Sequence, residues 1–573
     1  MSYLSKLKAA QSRKELAEIL GYSAQSLTAI VYQTPDTSKY TTFEIPKRSG
    51  GTRTIKAPIP KLKKLQTHLS HALYQSLDEI ENGREARPLS FGFRKGRSIS
   101  ENASCHKRRR WVLNLDLEDF FPSFNFGRVR GFFLKDSSFG LHPEVATTIA
   151  QIACDGVSLP QGSPCSPIIS ELIGHVLDMR LVRLAKKYKV TYSRYADDIT
   201  FSTSQKDFPA GIALPDPANS ANWMLSEELL SKISNSGFSV NQSKTRMHFR
   251  GSRQSVTGLV VNEKVNIRSE YYRNARSMCF SLFANGVYYK KNAATGEREP
   301  TDNPNPLEGM LSHIYYVTQS SEKREIQEQR INPRASRKLY RRFLFYKYFL
   351  RLDRPLIVTE GKTDPIYLKE AIERLDAFHP ALGQKRNGQF HHTARYFNYK
   401  GTAHEILDLG GGGTANLKSI PIDYRRNLMP YKKEPRAISH RPMLHPVILL
   451  VDNDDGLGAL ASTVKEMFGT NISLKTTNSY YHIVENLFLV KTPENNEKKT
   501  CIEDMFPLSV LKRELNGKKF NPSNQIDITK EYSKDIFANH VVKAEADTID
   551  FSGFTPLLDR IKKVIEDYKI SHG

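Results

Sequence analysis

Two adjacent carboxylates, Asp197 and Asp198, stand between two strand-like runs, Thr191-Tyr-Ser-Arg-Tyr195 and Ile199-Thr-Phe-Ser202. The pattern predicts a tight hairpin that projects both acids into one place. Adjacent buried carboxylates repel, so such a site needs a compensating cation. Two divalent metals about 3.5–4 Å apart, bridging carboxylates and phosphates, would supply it. Trp111-Val-Leu-Asn-Leu-Asp116 reads as a further strand, with Val112, Asn114 and Asp116 on one face. If it pairs with the hairpin, Asp116 meets Asp197 and Asp198. Any one Asp could be a turn residue, but no turn requires Asp-Asp flanked by strands.

The chain has 573 residues, enough for two or more domains, and 39% hydrophobic content, enough for real cores. A formal charge of +23 favours polyanions, with nucleic acid ahead of anionic membrane. The five cysteines (Cys105, Cys154, Cys165, Cys279, Cys501) are scattered and form no CxxC pair. That argues against a zinc ribbon or disulfide framework and suits a reducing cytosol. The residues Met1-Ser-Tyr-Leu-Ser-Lys-Leu-Lys8 carry no long apolar run, so no signal peptide is expected. The most apolar stretch, Val447–Val451, is too short to span a bilayer.

Residues 1–35 read as helical, with Leu4, Leu7, Leu16, Ile19 and Leu20 at helix-like spacing. Thr42–Pro46 and Ser49–Lys56 read as a hairpin with a Gly-Gly turn. A basic helix follows from about Pro60, carrying Lys61, Lys63, Lys64, Gln66 and His68. Residues 296–306 read as a Pro-rich loop, and 320–350 as a charged helical connector. From Arg354 the pattern becomes strand, Gly turn, helix: Pro355–Glu360 before Gly361, Glu405–Leu409 before Gly410–Gly413, and Val447–Val451 before Asp452. That predicts a parallel α/β sheet and a domain boundary near 335–353.

The first carboxylate set has company that resembles the reverse transcriptase family across residues 40–262. Tyr195-Ala-Asp-Asp198 is similar to its catalytic signature, and Asp116-Leu-Glu-Asp-Phe-Phe-Pro-Ser-Phe124 to its first palm motif. By resemblance, Phe121 is the steric gate against a ribose 2′-OH, with Phe120 a rival and an ordinary core Phe the plain alternative. Leu159-Pro-Gln-Gly-Ser-Pro-Cys-Ser-Pro167 resembles the loop beneath template and incoming nucleotide, which puts Gln161 there. Asn241-Gln-Ser-Lys244 resembles the motif whose lysine lies near the triphosphate; a solvated Lys244 is the alternative. Arg53 and Lys56 fall where fingers residues grip the triphosphate. The implied reaction is attack of a primer hydroxyl on the α-phosphate of a dNTP, with two Mg²⁺ (or Mn²⁺) ions held by Asp116, Asp197 and Asp198.

Asn102-Ala-Ser-Cys-His106 and Val256-Thr-Gly258 resemble two short elements of bacterial retron reverse transcriptases. That family copies part of a structured non-coding RNA into multicopy single-stranded DNA (msDNA). Synthesis is primed by an RNA 2′-OH and leaves a branched RNA–DNA. The resemblance implies a cognate RNA, its msDNA and dNTPs as partners in a bacterial cytoplasm, with no membrane and room for a homo-oligomer. Candidate RNA contacts are Asn102, His106, Arg108 and Arg109 of the basic run, Val256, Thr257, Gly258, and Arg341 and Arg342 of the connector. An amphipathic helix docking the next domain, with its aromatics as core, accounts equally well for the connector.

A second carboxylate set follows apolar strands in 354–510. Glu360 precedes Gly361, and Asp452-Asn-Asp454 follows Val447–Val451, at the carboxyl ends where α/β folds place their sites. Ile357-Val-Thr-Glu-Gly-Lys-Thr-Asp364 with Val451-Asp-Asn-Asp-Asp-Gly456 resembles the TOPRIM domain. By resemblance, Glu360 is a general acid/base or metal ligand and Asp452 and Asp454 bind one or two Mg²⁺. Asp364, Asp455, Glu485, Glu503 and Asp504 are lesser ligand candidates. Gly410–Gly413 lacks the Gly-Lys-Ser/Thr of a phosphate loop, and His391-His392 reads as surface.

The expected fold is an α+β right-hand polymerase (fingers, palm and thumb) followed by an α/β TOPRIM domain. Its parts are N-terminal helices and fingers at 1–110, palm at 111–262, thumb-like region at 263–335, connector at 336–353 and nuclease domain with C-terminal extension at 354–573. The implied function is a retron reverse transcriptase with a fused metal-dependent nuclease. The nuclease would act on DNA or RNA as a toxic anti-phage effector restrained by the RNA–DNA product. The alternative is a polymerase whose C-terminal domain is a non-catalytic nucleic-acid-binding or scaffold module.

Overall fold

The computed structural model describes residues 2–47, 50–82, 89–219, 222–292, 295–410, 413–429, 437–494, 499–523 and 525–572. Ser49, Gly411 and Gly412, placed by sequence in a turn and a glycine run, lie outside the described residues. The chain forms two compact units. One comprises Met1–Tyr271, Asn292–Gly296 and Tyr316–Glu322; the other comprises Tyr272–Lys291, Glu297–Tyr315 and Lys323–Gly573. The division therefore begins well before the expected 335–353, because most of the thumb-like region and all of the connector pack with the C-terminal residues.

In the first unit, helices Tyr3–Ala9, Arg13–Ile19 and Ala24–Thr28 each start on a serine whose side chain accepts a backbone N–H, the usual N-cap. They bury Leu7, Leu16 and Leu27. Strands Tyr40–Pro46 and Thr52–Pro58 pair antiparallel, Tyr40 opposite Pro58. Helix Pro60–Glu81 opens on a proline and buries a stripe through Leu62, Leu65, Leu69 and Leu73. The central sheet has four antiparallel strands in the order Thr191–Tyr195, Asp198–Thr203, Trp111–Asp116, Arg246–Phe249. Its Leu113, Leu115, Ile199 and Phe201 share a core with Ile149 of helix Pro143–Ala153 and with Ile169 and Leu177 of helix Ser166–Lys187.

The second unit holds a five-stranded sheet ordered Arg395–Tyr396, Leu356–Thr359, Val447–Val451, Leu487–Lys491, Tyr481–Val484. The first four strands run parallel and the last antiparallel. Val447–Val451 is buried at every position, as a central parallel strand requires. Helices Asp364–Arg374 and Thr555–His572 contribute Leu368, Ile372, Leu557, Leu558 and Ile561 to its core.

Two local expectations fail. Glu405–Leu409 was expected as a strand, but Thr402–Ile406 is a short helix; its Ile406 and the following Leu407 and Leu409 are buried, and a short apolar run does not by itself separate the two. The loop expected at 296–306 contains strand Arg298–Thr301, which pairs with Tyr288–Lys291, Pro300 opposite Tyr289. That sheet has only two strands, so each has a free edge where proline's missing donor is tolerated. Among the described residues no helix is long and apolar enough to cross a membrane.

Candidate active sites

The register of the central sheet builds the first site. Asp116 lies opposite Asp198, and Tyr195 opposite Asp198 on the other side, so Ala196-Asp197 is a two-residue turn. Ala196 has φ 56°, a left-handed conformation rare outside glycine that clusters at functional turns. The Leu117 amide donates to the Asp197 carbonyl at 3.1 Å, tying the turn to the Asp116 strand. Gly92 runs against the turn so closely that a Cβ there would stand 2.4 Å from the Ala196 nitrogen.

Asp197 and Asp198 are both perturbed. Burial, then Asp197 and Asp116, push the Asp198 carboxyl up to about 7. Burial also raises Asp197, with Asp116 adding to it and Lys244 and Arg53 opposing. Lys244 Nζ donates to both Asp116 oxygens, at 3.0 and 2.8 Å. As placed, no three His, Cys, Asp or Glu side chains among the described residues surround one point as a bound ion would require. The donor set still fits a divalent ion in kind: oxygen donors only, carrying mutual repulsion that one ammonium partly relieves.

Around this trio the structure sorts the other candidates. Phe120 is buried and stacks with Phe238, which removes it as a gate. Phe121 stays partly exposed with its ring 5.9 Å from Phe93. The Gln161 carbonyl accepts from the Lys56 amide at 2.8 Å, which joins the Pro-Gln-Gly loop to the hairpin. Lys56 is not free, since its Nζ pairs with Asp155 at 2.6 Å. Arg53 is exposed on the same strand.

Asn102 and His106 are buried rather than presented to solvent. The Ser193 hydroxyl donates to Asn102 Oδ1 at 2.6 Å; His106 Nε2 meets Ser193 Oγ and His106 Nδ1 meets Ser202 Oγ, each at 2.7 Å. These two residues therefore clamp both strands of the hairpin that carries Asp197 and Asp198, which corrects their reading as RNA contacts. Val256 is buried, and Thr257-Gly258 is a hairpin turn at φ 47° and 81°. Thr257 Oγ1 donates to the Ile99 carbonyl at 3.3 Å, at the start of the helix that carries Asn102. Arg108 is exposed, its Nε on the Glu263 carbonyl at 2.9 Å; Arg109 is half-buried and reaches Thr191 Oγ1 at 3.2 Å.

Sequence reasoning missed two buried supports. Arg194, fully buried, pairs with Asp178 at 2.7 Å and Glu171 at 3.0 Å, anchoring the strand that leads into the turn. Gln66, read as one residue of a basic helix, is buried and bonds Tyr40, the Ile152 carbonyl and Ser163. Their partners lie far away in sequence, and only Arg194's place in the hairpin strand was a signal.

The connector is core. Helix Ala335–Phe345 and the turn Tyr346–Leu350 bury Tyr340, Phe343, Phe345, Tyr346 and Phe349. Arg341 pairs with Asp423 at 2.9 Å and also with Asp408, and Arg342 lies 5.0 Å over the Phe283 ring. Their reading as RNA contacts is corrected: the amphipathic docking alternative describes them.

The second set gathers at the carboxyl ends of Leu356–Thr359 and Val447–Val451. Glu360 Oε2 accepts from the Asp452 amide at 3.2 Å, and Oε1 from the Thr414 amide at 3.3 Å. Asp452 Oδ1 accepts from the Ile502 amide at 2.9 Å. Burial, then Asp364, Glu360 and Glu503, raise Asp452 to about 8. Burial and Glu503 are the main causes that raise Asp364 to about 7. Glu503 is 2% exposed; Lys534 pairs with its Oε1 at 2.9 Å, while its Oε2 has no hydrogen-bond partner. The cluster is therefore Glu360, Asp364, Asp452 and Glu503 with Lys534, which the sequence reading did not include. Asp454 turns its carboxylate onto the Gly456 amide at 2.8 Å. The remaining candidates are engaged elsewhere: Asp455 with Lys499, Asp504 with the Cys501 amide, and Glu485 with Arg441. Glu485 precedes Leu487–Lys491 and so lies at the sheet's opposite end.

The reverse transcriptase (RNA-dependent DNA polymerase) family model matches residues 45–266. The Retron Mx65 reverse transcriptase of Myxococcus xanthus is 35% identical over 47% of this chain and 62% of its own length. The Retron Ec86 reverse transcriptase of Escherichia coli is 32% identical over 47% of this chain and 77% of its own length. The match thus spans about three-fifths of the Myxococcus protein. A solved apo telomerase from Candida tropicalis aligns at 13% identity over 54% of this chain and 61% of its own, with a TM-score of 0.32.

Proposed function

The chain belongs to the retron reverse transcriptase family, and from that premise we propose that its first unit copies a cognate structured RNA into msDNA from an RNA 2′-OH. The observation that carries this reading is the convergence of Asp116, Asp197 and Asp198, set by strand register. Asp116, Asp197 and Asp198 would hold Mg²⁺, which would supply Lewis acidity for attack on the dNTP α-phosphate. Lys244, which holds Asp116 through both oxygens, is the cation placed to meet the triphosphate. Phe121 stands as the wall against a ribose 2′-OH. Arg53, exposed on the hairpin, grips the triphosphate, while Lys56 positions the loop through Asp155. Sequencing the nucleic acid that copurifies with the chain, and testing it for a 2′–5′ branch, checks this reading. Recovery of random cellular RNA alone would overturn it.

The second unit we read as a TOPRIM-type, Mg²⁺-dependent nuclease, a toxic effector in anti-phage defence that the RNA–DNA product restrains. Four clustered carboxylates support it: Glu360 and Asp452 at strand ends, with Asp364 and Glu503 from the following helix and a 3-10 turn, Glu503 keeping an unpartnered buried oxygen. Glu360→Ala should abolish cellular toxicity and leave DNA synthesis intact. Unchanged toxicity would sink the nuclease and favour a scaffold module.

A further inference from the structure

The second unit has another polar concavity, far from its carboxylates. A cavity of about 330 Å³ is lined by Arg354, Lys369, His391, His392, Arg395 and Tyr396, among others. Arg354 precedes strand Leu356–Thr359, and Arg395 pairs with Leu356 at the start of that strand. Glu360 follows the same strand's other end. Four residues at about 3.3 Å each put the cavity about 13 Å from the carboxylate cluster.

Its lining is cationic and incompletely bonded. His392 Nδ1, Arg395 Nε and Tyr396 Oη are buried atoms without a hydrogen-bond partner. Lys369 makes a ring contact, 5.2 Å above Tyr396. Among the described residues, the carboxylate paired with this lining is Asp353, 3.4 Å from Arg395 and 3.6 Å from Arg354. The groups open to a ligand are the exposed Arg354 and Lys369 and the half-exposed Arg395 guanidinium. Arginine and lysine donors suit phosphate oxygens. The Phe390 and His392 rings, 5.0 Å apart, offer an apolar wall beside them. The volume lies at the lower end of ligand pockets, about 300–1,000 Å³, and fits one nucleotide.

We propose that this cavity is a phosphate-binding subsite that seats a single nucleotide unit, its phosphate on Arg395, Lys369 and Arg354. The same chemistry is presented by a free nucleoside monophosphate and by the end or backbone of a nucleic-acid strand.

The test is photolabelling of the full-length chain with 8-azidoadenosine 5′-monophosphate, followed by peptide mapping. Label is expected on the segment Phe390–Tyr396, displaced by inorganic phosphate. Lys369→Glu, a change at an exposed position, should lower labelling at least tenfold; Arg395→Gln should do the same, and Lys369→Arg should restore it. Both competition results support the site: a 5′-phosphorylated oligonucleotide competing better than AMP assigns a strand, and the reverse assigns a free nucleotide. Labelling that ignores phosphate, or that persists undiminished in Lys369→Glu, would overturn the proposal.

Discussion

Asp198 has neighbours that raise its proton affinity and a backbone register that prevents it from moving away from Asp116. Asp198→Asn removes the charge with almost no change in shape. Single-turnover primer extension on an RNA template should then fall about a thousandfold, which corresponds to about 4 kcal/mol of lost transition-state stabilisation. Circular dichroism should register little change. The two adjacent phenylalanines separate on burial. Phe120→Ala should destabilise the first unit by about 3–5 kcal/mol, seen in urea unfolding. Phe121→Ala should instead raise ribonucleotide incorporation in competition assays with little loss of stability.

At the scale of elements, much of the site was legible because local signals carried it. Strand alternation placed Asp116 on the face it occupies, and two strand runs separated by three residues defined the hairpin, which the structure tightens by pairing Asp198 with Tyr195. The roles of Asn102, His106 and Arg341 were not legible, because a buried hydrogen bond and a solvated nucleic-acid contact use the same residue types. Their partners, Ser193, Ser202, Asp408 and Asp423, lie distant in sequence. His106→Ala leaves two buried serine hydroxyls short of a partner, each worth about 1–3 kcal/mol. Its extension rate on a generic primer–template should fall while affinity for the cognate RNA holds, as filter binding can measure. Arg341→Ala takes one partner from each of two carboxylates, leaving Asp408 to Arg337 and Arg330 and Asp423 to Arg426; it should cost the second unit about 1–3 kcal/mol in denaturant titration, again without weakening RNA binding.

Over the whole molecule, the +23 charge implies an RNA affinity that falls steeply with salt. The second unit carries the opposite local charge, four carboxylates against Lys534. Mg²⁺ should therefore raise the temperature of its unfolding step in calorimetry, since a ligand that binds only the native state stabilises it. Glu503→Gln should raise stability without Mg²⁺, by relieving repulsion, and should erase most of the Mg²⁺ response.

What the sequence determined by itself was the chemistry that contiguous residues declare. The Asp-Asp turn, the strand before Asp116 and the parallel strands before Glu360 and Asp452 all rest on alternation and apolar runs a few residues long. Only the tertiary structure decided which charges are surface and which are internal. Of the lesser candidates Asp364 and Glu503 stayed in the second cluster while Asp455 and Glu485 left it, Lys534 entered, and the connector's arginines turned inward. Burial and pairing depend on partners tens to hundreds of residues away, and no local pattern specifies them.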